Sequence, residues 1–129
     1  MKEKIKMVTT LIAFISLIVV GGVSAASYVT YATVLPRFGT DTELASANKA
    51  TNSQSKVENR VVGQGYKANM WIQQGSKKVS ATARNVTDND TRYFTVDQSA
   101  VGKKVSLVAK NASFTYVTVD IAGKFYPDK

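Results

Sequence analysis

The stretch "YKANMWIQ" (66–73) decides the fold. Ala68, Met70 and Ile72 fall on one side, and Lys67, Asn69, Trp71 and Gln73 on the other. A period of two marks a strand with one face buried. The same rhythm continues outward. Upstream, "KVENRVV" sets Val57 and Val61 against Glu58 and Arg60, and "GQG" (63–65) turns the chain. Downstream, "QGSK" turns, and "KVSATAR" sets Val79, Ala81 and Ala83 against Ser80, Thr82 and Arg84. "NVTDND" reads as a loop, "TRYFTV" as a short strand and "DQSAVGK" as a connection. "KVSLVAK" points Val105, Leu107 and Ala109 inward, and "NAS" leads into a last strand over 113–122. Short alternating segments punctuated by Gly, Asn and Asp, with no heptad or helical stripe, predict an all-β protein. The expected architecture is a small antiparallel β-sandwich, Ig-like in size.

Several inward positions are alanines, so aromatics are expected to supply much of the core: Trp71, Phe94, Phe114, Tyr116 and Phe125. At the end of the chain, "VTVDIAGKFYPDK" reads as a closing strand. Val117, Val119, Ile121 and Phe125 share one parity, Gly123 marks a bulge or close backbone approach, and Pro127 ends the pairing. Before the central strands, "SYVTYATVLPRFG" (27–39) predicts an edge strand stopped at Pro36. "TDTELASANKATNSQSK" (40–56) predicts mainly a loop. The domain reading is an export segment at 1–26, an N-terminal strand and polar loop at 27–55, and the main part of a single sandwich at 56–129.

The first 26 residues have the three parts of a signal peptide. Lys2, Lys4 and Lys6 form a positive start, residues 8–20 are uncharged and apolar, and small residues follow. Cleavage is expected after Ala25 or after Ala26. The apolar run is short for a membrane span, which takes about 20 residues, so no stable span is expected after cleavage. Of the chain's 17 basic and 9 acidic residues, 14 and 8 then remain, a net charge of +6. A basic exported domain is drawn to anionic surfaces, and its expected partners are an anionic cell envelope or a protein receptor. No motif joins the basic residues into a nucleic-acid site. There is no cysteine, so no disulfide staples the fold.

The chain also lacks histidine. With it go the usual general base near neutral pH and, with cysteine absent too, the usual zinc ligands. No G-x-S-x-G elbow occurs. A carboxylate-dependent hydrolase is the enzymatic alternative, and the eight remaining acids are scattered. "TDNDT" (87–91) is too short for a calcium loop and reads as a turn. The sequons at Asn85, Asn89 and Asn111 read as turn residues too. Catalytic, cofactor and metal sites are therefore expected to be absent. The candidate contact patch is Tyr66, Lys67, Trp71 and Arg84. Against it stands the reading of Trp71 as a core residue brought inward by a bulge, which the usual burial of tryptophan favours.

The mature region from about Val34 resembles small exported proteins of Gram-positive bacteria without established function, some encoded near bacteriocin-type exporters. The likeness is carried by "LPRFGTDT", "ANMWIQ", and "VGKKVSLVAKNAS" followed by "TVDIAGKFYPD". Phe125–Tyr126 stand where that pattern has a tryptophan. "GSKKVSAT" (75–82) is distantly similar to a segment of the lactococcin 972 class of bacteriocins. The resemblance implies export, a β fold and a competitive or immunity-related role, and it carries no functional residues across. The leading expectation is a secreted, non-catalytic, bacteriocin-like β-domain. A self-assembling cell-surface protein is the structural alternative.

Overall fold

Met70 and its neighbours face a core, and they do so from within a five-stranded sheet. A computed structural model describes residues 27–113 and 116–129. The expected signal peptide, with its expected cleavage positions Ala25 and Ala26, and Phe114 lie outside the described residues. Nine strands run in chain order: β1 (Val29–Leu35), β2 (Thr42–Asn48), β3 (Ser55–Val62), β4 (Ala68–Gln74), β5 (Lys77–Lys78), β6 (Ala83–Val86), β7 (Asp90–Phe94), β8 (Lys104–Asn111) and β9 (Val119–Tyr126). Two antiparallel sheets pack together as a small β-sandwich. Sheet A has the order β1-β9-β3-β7. Sheet B has the order β2-β8-β4-β5, and β6 also pairs with β4.

The inward face of sheet B is the one that alternation foretells. Ala68, Met70 and Ile72 of β4 and Val105, Leu107 and Ala109 of β8 are all fully buried. Phe94, Ile121 and Phe125 meet them from sheet A, together with Tyr31. Tyr31 carries a hydroxyl into this core, and burial pushes its pKa far above the ordinary value. Its Oη donates to Asn59 Oδ1 at 2.8 Å, and Asn59 Nδ2 donates to the Thr87 carbonyl at 2.8 Å. That chain satisfies polar groups whose burial unpaired would be costly.

Several expectations need correction. Residues 42–48 are not loop but β2, paired with β8 from Thr42–Ala109 to Asn48–Lys104. Its Ala, Ser and Asn have little strand preference, and backbone pairing overrides it. A bulge between Asn59 and Val61 breaks the parity of β3, so Val57 and Val62 point inward and Val61 outward. The 77–86 segment is split into β5 and β6, leaving Ala81 exposed. Among the expected core aromatics, Tyr116 is 75% exposed, edge-on to Phe38 at 5.6 Å.

The closing strand runs over Val119–Tyr126, later than 113–122, and Val117 lies exposed before it. β9 is central in sheet A, flanked by β1 and β3. Gly123 sits opposite both Tyr31 and Asn59. A Cβ there would lie 2.5 Å from the Glu58 carbonyl and 2.6 Å from Tyr31 Oη, so close approach is the reason for glycine. Beyond β9 the tail is fastened. Ser55 Oγ donates to the Pro127 carbonyl at 2.7 Å, and Lys129 N–H donates to the Gln54 carbonyl at 2.9 Å.

Lys49, only 1% exposed, reaches the same tail. Its Nζ lies 2.7 Å from Asp128 Oδ1 and also donates to the carbonyls of Thr51 and Ser53. Asp128 accepts further bonds from the amides of Ala50 and Thr51. Partial burial pulls the Asp128 pKa up, but the Lys49 ammonium and these amides outweigh it and hold the carboxyl below its usual range.

Candidate binding surface

The outward positions of β4 are Asn69, Trp71 and Gln73. Strand pairing sets Lys110 beside Asn69, Val108 beside Trp71, and both Ser106 and Lys78 beside Gln73. Trp71 is only 8% exposed but lies outside the core cluster. The burial expected of a core tryptophan is seen, but not the bulge that would bring it inward: β4 keeps unbroken register with β8 from Ala68 to Gln73. Its cover comes from the outer face. Val108 packs alongside, and Lys78 Nζ sits 5.2 Å from the ring centroid. Trp71 Nε1 donates to Gln73 Oε1 at 2.9 Å. The indole thus floors a hollow of about 380 Å³ rather than filling the core.

Three cations line that hollow, Lys78, Arg84 and Lys110, against one carboxylate, Asp41. Asn69 helps to shape it, since its Oδ1 accepts the Asn85 amide at 3.0 Å and ties β6 to β4. Of the four patch residues read from sequence, Trp71 and Arg84 share this hollow, while Tyr66 and Lys67 do not line it. Tyr66 packs against the core and lines a separate hollow of about 240 Å³ with Gly63, Thr118 and Asp120. Lys67 is exposed, and its carbonyl accepts the Ala112 amide at 2.9 Å. Lys78 and Lys110 went unnoticed in the sequence. Their positions opposite β4 are visible only once the strands are paired.

Sheet A carries a second set of exposed groups. Lys56 of β3 stands opposite both Tyr126 of β9 and Tyr93 of β7. The Tyr28 ring packs on Tyr126 with centroids 5.2 Å apart. Tyr28, just before β1, therefore forms one row with Tyr126, Lys56 and Tyr93 across β9, β3 and β7. The neighbouring row is Thr30, Lys124, Glu58 and Thr91. Lys56 bonds Glu58 at 3.1 Å and holds that carboxyl below its usual range.

The other acids of interest are engaged in structure. Asp88 accepts the Val62 amide at 2.7 Å. Asp90 accepts the Thr87 amide and bonds Arg92 at 2.9 Å. Burial acts to raise the Asp90 pKa, and Arg92 with the Thr87 amide more than reverses it. Asn89 takes positive φ in the turn between β6 and β7, as read, but Asn85, also at positive φ, lies within β6 and Asn111 is the buried last residue of β8, so the turn reading is corrected for these two. No helix among the described residues is long and apolar enough to cross a membrane. No protein-family model, curated protein or solved structure matches the chain.

Proposed function

We propose that this chain is a secreted, non-catalytic binding domain that attaches to anionic envelope material or an acidic protein receptor, in the manner of a bacteriocin-like protein. The observation that carries the reading is the Trp71 hollow, where Lys78, Arg84 and Lys110 converge on one rigid sheet face with a single carboxylate. Two ammonium groups and a guanidinium on strands paired with β4 offer a fixed cationic surface, and the +6 charge expected after cleavage adds long-range attraction. Such contacts weaken as salt rises. The test is cell binding by the purified exported chain, with Arg84→Glu and Lys110→Glu combined. Charge reversal should lower binding roughly tenfold at low salt, an effect of about one close charge interaction. Wild-type protein that binds neither producer nor sensitive cells, and inhibits no relative, overturns the reading.

A second reading, self-assembly, is favoured by β1. This edge strand, "VTYATVL", has seven residues, no charge and unbroken pairing to β9. The other edges carry charge, a bulge or a break, the usual guards against edge-to-edge pairing. Light scattering over a wide concentration range tests it. A strict monomer removes it, and a dimer abolished by Thr33→Lys supports it.

A further inference from the structure

We infer that the outer face of sheet A is a platform for an acidic polysaccharide. It lies on the other sheet from the Trp71 hollow and stands independently of it. The row Tyr28–Tyr126–Lys56–Tyr93 crosses the whole sheet, a span of ~14 Å from the usual strand spacing. Its ends stay open, with Tyr28 49% and Tyr93 52% exposed. Each tyrosine carries an ammonium: Lys124 lies 4.7 Å from the Tyr28 centroid, Lys56 4.4 Å from Tyr126, and Lys129 5.2 Å from Tyr93.

Beside the row runs a strip of hydrogen-bonding groups. Thr30 and Thr91 flank Lys124 and Glu58, and a hollow of about 250 Å³ opens there, lined also by Asn59, Arg60 and Asn89. Four cations, Lys56, Arg60, Lys124 and Lys129, outweigh Glu58 on this face. Asp120 stands further along β9, opposite Val34, and Asp128 is committed to Lys49. The fitting ligand has three properties: apolar C–H faces for tyrosine, hydroxyls for Thr and Glu58, and negative charge for the amines. A uronic-acid polymer has all three. Single-stranded nucleic acid also offers stacking and charge. Glu58 disfavours it, because a carboxylate accepts hydroxyl donors, which every sugar unit of a polyuronate offers and a DNA backbone lacks.

The experiment measures binding of the exported chain to polygalacturonate, dextran and a single-stranded oligonucleotide, side by side. Polygalacturonate should bind more tightly than both others. Tyr28→Ala with Tyr93→Ala should weaken it roughly tenfold, the scale of lost aromatic contacts, without moving the melting temperature. If that pair lowers the melting temperature, Lys124→Glu supplies the same comparison. Lys77→Glu, an exposed position of β5 on sheet B, makes the same change of charge and should leave polygalacturonate binding within about twofold, a small energy difference. Equal binding by the tyrosine variant and the wild type overturns the proposal, as does preference for dextran or the oligonucleotide. A loss produced equally by Lys77→Glu overturns it too, because charge alone would then account for attachment.

Discussion

Lys49 shows how one buried cation can organise a surface loop. Its ammonium holds the 49–53 turn and the Asp128 carboxylate together. Removing one partner of such a pair leaves the other uncompensated, so Asp128→Ala should cost about 3 kcal/mol at neutral pH, read by denaturant unfolding. The same pair fixes a pH dependence. Because the folded Asp128 pKa is depressed, its stabilisation is fully present above the unfolded value, near 4, and is lost as pH falls through the lower folded value. The melting-temperature gap between wild type and Asp128→Asn should therefore be wide at pH 7 and close in acid. Gly123 is the other sensitive position. Gly123→Ala drives a methyl into the Glu58 carbonyl and Tyr31 Oη and should cost roughly 1–3 kcal/mol in unfolding experiments, the range for overpacking.

At the scale of elements, β9 matters most. Phe125 is fully buried, and Asp128 and Pro127 anchor the 49–55 region. Truncating a buried aromatic costs about 3–5 kcal/mol, a large share of a typical domain's total stability. Deleting residues 125–129 should accordingly abolish the cooperative thermal transition. A truncated protein that keeps its melting temperature would show the tail to be an appendage. The role of this strand was legible from its alternation, as were the inward faces of β4 and β8. What failed to show was whatever depends on pairing. β2 has an unremarkable sequence and is made a strand by β8. The bulge at Asn59–Val61 reverses parity without a glycine to announce it. The tyrosine row joins residues from three strands and from the segment before β1, so no local pattern contains it.

The whole molecule presents cationic groups on the outer faces of both sheets, and the chain carries net charge +8. Like charges on one small body repel, and salt relieves that repulsion. Rising salt should thus raise the melting temperature slightly while weakening attachment to anionic surfaces. Opposite signs in the two titrations are the expected result, and a parallel fall in both would mean that ion pairs dominate stability. The sole tryptophan, buried on the outer face of sheet B, makes fluorescence a reporter of that sheet during refolding. With most pairing non-local, refolding should take milliseconds to seconds.

The central place of β9 also sets an order of events in biosynthesis. β1 and β3 are made early, yet both pair with a strand beginning at Val119. Until that stretch leaves the ribosome, neither has this neighbour, and sheet A cannot close. A nascent chain stopped before Val119 therefore remains open to proteases along β1 and β3. Closure of sheet A thus waits for the late arrival of one segment.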